Sequence, residues 1–252
     1  MNRTIAERLT QLRLPGFSRA YSEQQTIDGF REMSFDDRMA LLIEREELDR
    51  ASRAIATRVG RARFKKNAAY EDLKPSAAQG LDRSMLQSLG SCDFIRKKQN
   101  LIVTGPSGSG KTFLTTALAH RACLHGFTAR YFRSPGLLIE LDCGRQDGRF
   151  RRVVSQIGKF QVLIIDDFML STISESEQKD LFELIEERHE STATILTSQN
   201  PVSLWHSLMP NPAIADAILD RITSSALRVE LKGESKRRTK TADVDQGATT
   251  QA

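Results

Sequence analysis

The sequence has few cysteines and no long apolar run. Its three cysteines, Cys92, Cys123 and Cys143, are widely spaced, and none belongs to a C-x-x-C pair. The four histidines are also scattered, so neither a zinc site nor a histidine-based nucleophile site finds support. No stretch approaches the roughly 18 uninterrupted apolar residues of a membrane span, and the N-terminus lacks the apolar core of a signal peptide. We therefore expect a cytoplasmic protein with reduced thiols and no membrane partner.

Aromatic residues are scarce too, at 6% of the chain, and acidic residues are fewer than basic ones. The 37 lysines and arginines outnumber the 32 aspartates and glutamates, which gives a formal charge of +5. This mildly basic balance suggests a polyanionic partner without naming it. With 39% apolar residues, the 252-residue chain can form one domain of ordinary size and a small accessory domain.

The residue pattern changes near positions 70 and 98. Before residue 70, apolar residues recur at helical spacing, as Ile5 and Leu9 do, whereas Pro75, Gly80 and Gly90 interrupt the next segment. After about residue 238 the sequence has almost no hydrophobic content, which is typical of disorder. The sequence predicts a helical N-terminal domain for DNA or partner binding (1–70), a linker with a short helix near residues 85–89 (71–98), an α/β domain (99–238) and a disordered tail (239–252).

Five short apolar runs in the α/β domain alternate with helical stretches. Such alternation indicates a parallel sheet that is covered by helices on both faces. The predicted fold is therefore α/β, with a parallel five-stranded sheet flanked by helices and preceded by a small all-helical domain. The runs are 101–105, 129–132, 162–166, 193–198 and 227–231.

A strongly basic segment lies at the end of the helical domain. It contains seven basic residues and no acid, and Ala51, Ile55 and Val59 follow one another at i+4, so it reads as an amphipathic basic helix. A solvated helix face is one interpretation and binding of nucleic-acid backbone phosphates is the other, which we favour because acids normally intersperse a solvated face. The basic residues are Arg50, Arg53, Arg58, Arg61, Arg63, Lys65 and Lys66.

A glycine-rich loop follows the first apolar run and precedes a helical stretch. It satisfies the pattern G-x-x-x-x-G-K-[ST], in which glycines let backbone N–H groups converge on phosphate oxygens. Lys111 would supply charge to the β- and γ-phosphates of ATP, and Thr112 would offer its hydroxyl to Mg²⁺. The predicted nucleotide-binding residues are Gly105, Pro106, Ser107, Gly108, Ser109, Gly110, Lys111 and Thr112.

Two adjacent carboxylates end the apolar run 162–166. Ionised carboxylates are costly to bury, so their position after this run requires a partner. In nucleotidases with a phosphate loop, a second strand delivers an acid that holds Mg²⁺, and Asp166 suits that role. Asp167 would then orient or deprotonate the attacking water. The alternative is that Asp167 merely caps or solvates the strand end.

These motifs resemble those of the additional-strand P-loop ATPases, and within them the AAA+ class, with Walker A at 105–112 and Walker B at 162–167. From residue 5 to about 238, further segments resemble the IstB-type transposition helper ATPases of bacterial insertion sequences, relatives of DnaC-type helicase loaders. The segments that carry this resemblance, in the family's order, are RMALLIEREELDR, GPSGSGKTFLTTALAHRAC, VLIIDDF, TILTSQNPVSLWH, AIADAILDRI and LKGESKRR.

The resemblance implies roles for further residues. Lys111 and Thr112 would form the Walker A pair, and the two aspartates would keep the roles given above. Gln199 lies where the family has its polar sensor of the γ-phosphate or the attacking water. Arg221 corresponds to the arginine finger that enters the neighbouring subunit's site, and Arg237 occupies a basic family position without an assigned role.

Two features depart from the wider AAA+ pattern. Asp167 stands where members of the class commonly carry glutamate, and its side chain is shorter by about 1.5 Å. Small misplacement of a catalytic group lowers the rate, so we expect slow ATP hydrolysis that depends on assembly or DNA. The sensor arginine of a separate C-terminal lid is missing, so neighbouring subunits would complete the nucleotide site.

The resemblance therefore implies an ATP-dependent, self-assembling protein that binds duplex DNA largely without sequence specificity and recruits or stimulates a cognate transposase. A DnaC-like helicase loader is the main alternative, because it would use the same ATPase core. A small-molecule kinase also has a phosphate loop, but no acceptor site or arginine-rich lid is evident. A nucleotide-dependent scaffold without turnover is the fourth possibility, since Asp167 is short.

Overall fold

A computed structural model of the protein describes residues 4–65 and 67–233. The chain divides into two compact units, Met1–Thr57 and Arg58–Ala252. Lys66, Arg237 and the predicted disordered tail (239–252) lie outside the described residues. Within the described part, none of the helices combines the length and the apolar character needed to cross a membrane.

The first unit is helical, as the spacing of its apolar residues predicts. The first helix begins with a capping box, in which the Glu7 amide donates to the Thr4 hydroxyl at 3.3 Å and the Thr4 amide donates to the Glu7 carboxylate at 2.9 Å. The second helix begins at Pro15, whose fixed φ suits a first helical turn. The helices are α1 (Ile5–Gln11), α2 (Pro15–Thr26) and α3 (Phe35–Ala62), which continues beyond Thr57.

A buried carboxylate joins α2 to α3 within this unit. Glu46 accepts hydrogen bonds from the amides of Gly16 at 2.8 Å and Phe17 at 3.1 Å, at the start of α2. These amides have no partner within their own helix, so the carboxylate satisfies them. A Cβ atom at Gly16 would lie 2.8 Å from Cβ of Asp49, which shows how closely the two helices pack.

The second unit contains a five-stranded parallel sheet, which confirms the predicted fold. The strand order is β2-β3-β4-β1-β5, so β4 lies between β1, which precedes the glycine-rich loop, and β3, which ends in Asp166. The carboxyl ends of β1 and β3 therefore meet at one edge of the sheet. The strands are β1 (Leu101–Thr104), β2 (Ala129–Arg133), β3 (Val162–Asp166), β4 (Ala193–Ser198) and β5 (Leu227–Glu230).

Helices cover the sheet, and the strand residues alternate between two hydrophobic clusters. Leu101 and Val103 belong to one cluster and Ile102 to the other, as expected where successive side chains point to opposite faces. Continuous apolar runs were therefore a correct indication of strands buried on both sides. The helices of this unit are α4 (Arg83–Gly90), α5 (Asp93–Arg96), α6 (Lys111–Leu124), α7 (Ser134–Gln146), α8 (Phe150–Gly158), α9 (Glu175–Arg188) and α10 (Pro212–Thr223).

The segment 71–98 differs from the linker that the sequence suggests. Its α4 contains the short helix predicted near residues 85–89, but the segment also forms α5, and Leu86, Leu89 and Phe94 are buried in the same cluster as Leu101. Gly80 has φ +79°, and a Cβ atom there would lie 1.9 Å from the carbonyl oxygen of Glu230. Gly80 thus permits a turn and a close backbone contact inside a packed unit.

The basic segment also differs from the helix predicted over 50–66. α3 ends at Ala62, and Arg63 adopts φ +53° in the left-handed region, which a helix cannot continue through. Ala62 is fully buried in the hydrophobic cluster of the second unit, so the chain turns where this side chain enters the core. Phe64 and Lys65 consequently lie beyond the helix.

Candidate nucleotide-binding site

The glycine-rich loop connects β1 to the N-terminus of α6. Gly105, Gly108 and Gly110 have φ values of +144°, +81° and +98°, which side chains with a Cβ rarely adopt. A Cβ atom at Gly105 would also lie 2.3 Å from the carbonyl oxygen of Leu231. The hydroxyl of Ser109 is buried and has no hydrogen-bond partner among the described residues. An orphaned donor beside a helix N-terminus fits a phosphate ligand.

Lys111 is the first residue of α6, and its side chain folds back over the loop. Its ammonium donates hydrogen bonds to the carbonyl oxygens of Gly105 at 2.7 Å and Pro106 at 2.8 Å. Burial lowers its pKa, and the negative charges of Asp167 and Asp166 oppose that shift. The described residues include no ion-pair partner for Lys111, so its charge is available to an anion in the loop.

Asp166 is buried and surrounded by hydroxyl groups. Thr112 Oγ1 lies 3.0 Å from both carboxylate oxygens, and Tyr131 donates its hydroxyl at 2.7 Å. Thr197 Oγ1 donates to the same carboxylate. Burial and the hydrogen bond to Asp166 raise the pKa of Tyr131, which keeps its proton in place. The adjacent Thr112 hydroxyl and carboxylate are hard oxygen ligands, so this pair fits Mg²⁺.

Asp167 has a different environment from its neighbour. Its carboxylate accepts hydrogen bonds from Arg133 Nε at 3.0 Å and Nη2 at 2.6 Å, and its amide donates to Thr197 Oγ1 at 3.1 Å. These contacts with Asp167 raise the pKa of Arg133. Asp167 has φ +58°, so the chain turns sharply directly after β3. The turn aims the two successive carboxylates at different partners.

One cleft brings most of the predicted site residues together. Its volume is about 840 Å³, and Lys65 and Gln199 line it besides residues of the loop and both aspartates. Arg221 lies outside this lining. It forms an ion pair with Glu186, donates to the Ala217 carbonyl at 3.1 Å and lies over the Phe182 ring. The predicted site residues that line the cleft are Lys65, Ser107, Gly108, Ser109, Gly110, Lys111, Thr112, Asp166, Asp167 and Gln199.

The predicted nucleic-acid-binding residues fall into two groups. Arg50 pairs with Glu46 at 2.7 Å, and Arg53 pairs with Asp49 at 2.9 Å and with Glu46 at 3.3 Å. Glu46 lies four residues before Arg50, and Asp49 lies four residues before Arg53, so α3 neutralises the first two arginines of the segment. The second group, in the described part of the second unit, has no ion-pair partner: Arg58, Arg61, Arg63 and Lys65.

Three residues that touch the aspartates were not found by sequence reasoning: Tyr131, Arg133 and Thr197. Tyr131 and Arg133 lie on β2, which pairs with β3, and Thr197 lies on β4 at the other side of β3. The sequence signal that could have identified these residues is their position near the carboxyl ends of apolar strands. It could be used only with the strand order, which places β2 and β4 on either side of β3.

We expect Gly105→Ala to destabilise the protein by about 1–3 kcal/mol, because the new Cβ meets the Leu231 carbonyl in a backbone conformation that alanine avoids. Gly136→Ala is the matched control, since Gly136 lies in α7, where an added Cβ would have no atom within 4 Å other than its chain neighbours and the backbone of its own helix. Urea denaturation monitored by circular dichroism would measure both variants. Equal stability of the two would contradict a conformational role for Gly105.

The strand order, the glycine-rich loop and the hydroxyl-bound aspartate define a P-loop nucleotide-binding protein with the AAA+ fold. The family model described as IstB-like ATP binding protein matches residues 7–243, and the chain belongs to that family. This match confirms the family that the sequence motifs indicated.

Relatives of known name agree with this assignment. A Sinorhizobium fredii protein named as an insertion-sequence ATP-binding protein is 39% identical over 232 residues, which cover 92% of this chain and 95% of the relative. The ATP-binding protein named for insertion sequence IS1162 of Pseudomonas fluorescens is 41% identical over 204 residues, covering 81% and 88%. The chain is thus similar, over most of its length, to ATP-binding proteins named for insertion sequences.

Solved structures share the fold. The DnaC helicase loader aligns with a TM-score of 0.54 and 19% identity, covering 66% of this chain and 97% of that one. AMPPCP-bound DnaA from Aquifex aeolicus aligns with a TM-score of 0.57 and 14% identity, covering 75% and 58%. The AAA+ fold of helicase loaders and initiators is therefore the fold of this protein.

Proposed function

We propose that the protein hydrolyses ATP with Mg²⁺, and that ATP drives its assembly on duplex DNA, where it recruits or stimulates a transposase. The observation that carries the catalytic part is the contact of Thr112 with Asp166 in the cleft that Lys111 and Asp167 also line. A phosphate loop, a pair of oxygen ligands and a second carboxylate are the parts that phosphoryl transfer to water requires.

Several residues in or next to the cleft have a chemical task in this proposal. Lys111 neutralises phosphate oxygens, and Thr112 and Asp166 would hold Mg²⁺, which would supply further positive charge for phosphoryl transfer. Tyr131 and Thr197 fix the orientation of the Asp166 carboxylate through their hydroxyls.

Asp167, Arg133 and Gln199 act on the water and the γ-phosphate. Asp167 orients the attacking water and accepts its proton, while Arg133 fixes the direction of that carboxylate. Gln199 lines the same cleft and is suited to contact the γ-phosphate or the water. Family membership and the names of the relatives support the DNA and transposase parts, because those relatives belong to insertion sequences. The DnaC-type fold keeps a helicase loader as the second candidate.

The test is to measure ATP turnover and sedimentation without DNA, with duplex DNA and with single strands. We expect ATP and duplex DNA together to enlarge the particle and raise turnover, whereas Lys111→Ala abolishes both responses. Turnover raised by single strands alone would favour the helicase loader. If ATP neither enlarges the particle nor tightens duplex binding, the proposed function is wrong.

Arg221 provides a separate prediction, since we propose that it acts on the nucleotide of a neighbouring copy. Arg221→Ala and Lys111→Ala are each expected to be inactive alone. An equal mixture should regain about a quarter of the wild-type turnover, because a Lys111→Ala subunit can supply Arg221 to an intact phosphate loop. Turnover would be measured as phosphate release. A mixture as inactive as its components would contradict action between subunits.

A further inference from the structure

Three arginines lie together at the amino end of the edge strand β2, and we call Arg61, Arg63 and Arg130 the β2 arginine cluster. Arg130 is half-buried, and its Nη1 donates to the backbone carbonyl of Arg61 at 3.0 Å. Its guanidinium lies 5.0 Å from the centre of the Phe132 ring. Arg61 and Arg63 are exposed. The Arg130 side chain is therefore held in place, while its two neighbours stay accessible to solvent.

The arginines of this cluster form no ion pairs in the described chain, although Glu140 acts on Arg130. Burial lowers the pKa of Arg130, and the positive charge of Arg63 lowers it further, while Glu140 opposes the shift. In the described chain none of the three arginines forms an ion pair, although Arg50 and Arg53 on the same helix as Arg61 do. The uncompensated positive charge thus lies at β2 rather than on the earlier turns of α3.

An anion is the ligand that this arrangement favours. A guanidinium has five N–H donors, and one hydrogen bond to the Arg61 carbonyl leaves Arg130 with donors for a further acceptor. Arginine pairs with phosphate in a bidentate geometry, and a side chain already fixed loses little freedom on binding. None of the three arginines lines the nucleotide cleft, so ATP bound there is not this anion.

We infer that the β2 arginine cluster binds a backbone phosphate of the nucleic acid, with Arg130 as the fixed contact and Arg63 as the accessible one. This inference rests on the proposed DNA binding and extends it to a residue of the sheet that lies 64 positions beyond the basic segment's end in the sequence. The contact recognises the negative charge of the phosphate and not the identity of the base, because phosphate contacts carry no direct sequence information.

The experiment measures duplex affinity by fluorescence anisotropy over a series of salt concentrations, using the full chain with ATP. A plot of log affinity against log salt concentration has a negative slope, and Arg130→Gln should reduce the magnitude of this slope by about 1. The reduction should be equal for duplexes of unrelated sequence. Arg63→Gln should have the same effect, and it serves if Arg130→Gln fails to fold by circular dichroism. Glu140→Gln should tighten binding, because it removes the acid that acts on Arg130.

Arg228→Gln is the matched control. Arg228 is an exposed arginine of β5, the strand at the opposite edge of the sheet, so the variant loses the same charge elsewhere. The inference is overturned if wild type binds duplex DNA but the salt dependence of binding is the same in Arg130→Gln and Arg63→Gln as in Arg228→Gln. A cluster that binds an acidic protein instead would give that result. If wild type itself shows no salt-dependent duplex binding, the proposed function fails first.

Discussion

Asp167→Asn is expected to reduce ATP turnover by about a hundredfold or more, while ATP binding and assembly persist. Asparagine has nearly the same shape as aspartate but cannot accept a proton from water. Asp167 does not touch Thr112, and its contacts are with Arg133 and Thr197, so the Mg²⁺ ligands should remain in place. Turnover would be measured as phosphate release, and binding with a fluorescent ATP analogue.

Asp166→Asn is the comparison that separates the two carboxylates. Because Asp166 accepts from Thr112, Tyr131 and Thr197, its loss should weaken Mg²⁺-dependent nucleotide binding as well as turnover. If Asp167→Asn loses binding while Asp166→Asn keeps it, the two roles are reversed. Unchanged turnover in Asp167→Asn would leave the residue as a cap of the strand end.

Arg188→Met is expected to lower the free energy of unfolding by about 3 kcal/mol or more. Arg188 is only 2% exposed and donates to five oxygens: the carbonyls of Ile157, Gly158, Phe160 and Ala193, and the Thr194 hydroxyl. Burial lowers the pKa of Arg188 to about 9, so the guanidinium is still charged at neutral pH. Methionine would fill part of the space and leave buried acceptors without donors.

The contacts of Arg188 join the C-terminus of α8 to the start of β4. Carbonyls at a helix end are unpaired and carry partial negative charge, which a cation satisfies without a carboxylate partner. Arg151→Met is the matched control, because Arg151 is an exposed arginine of α8. Urea denaturation would measure both variants, and a loss below about 1 kcal/mol in Arg188→Met would show that water replaces the guanidinium.

The strands and helices around the glycine-rich loop and Asp166 were predicted correctly, because their signals are local in sequence. The loop 105–112 follows its strand and precedes its helix directly, and Asp166 ends a run that is buried throughout. The partners of the aspartates were missed because Tyr131 and Thr197 come from strands that are adjacent in space and distant in sequence. Only the order of the strands brings them together.

The structure differs from the predictions in two other segments, one for a local reason and one because of long-range packing. The basic segment began at Arg50, so Glu46 and Asp49, which neutralise its first arginines, lay just outside it. A check of i,i+4 spacing across that boundary would have found them. The segment 71–98 has a linker-like composition, yet α4 and α5 bury apolar residues against the sheet. Composition does not reveal such packing.

The two outer strands of the sheet have a consequence for solubility. In the described chain, β2 pairs only with β3 and β5 only with β1, so each has one side without a strand partner. β2 carries Arg130 and Arg133, and β5 carries Arg228 and Glu230. Charged side chains on edge strands discourage strand addition from another molecule. A protein that we propose to self-associate through its nucleotide site is thereby protected from aggregating through its sheet.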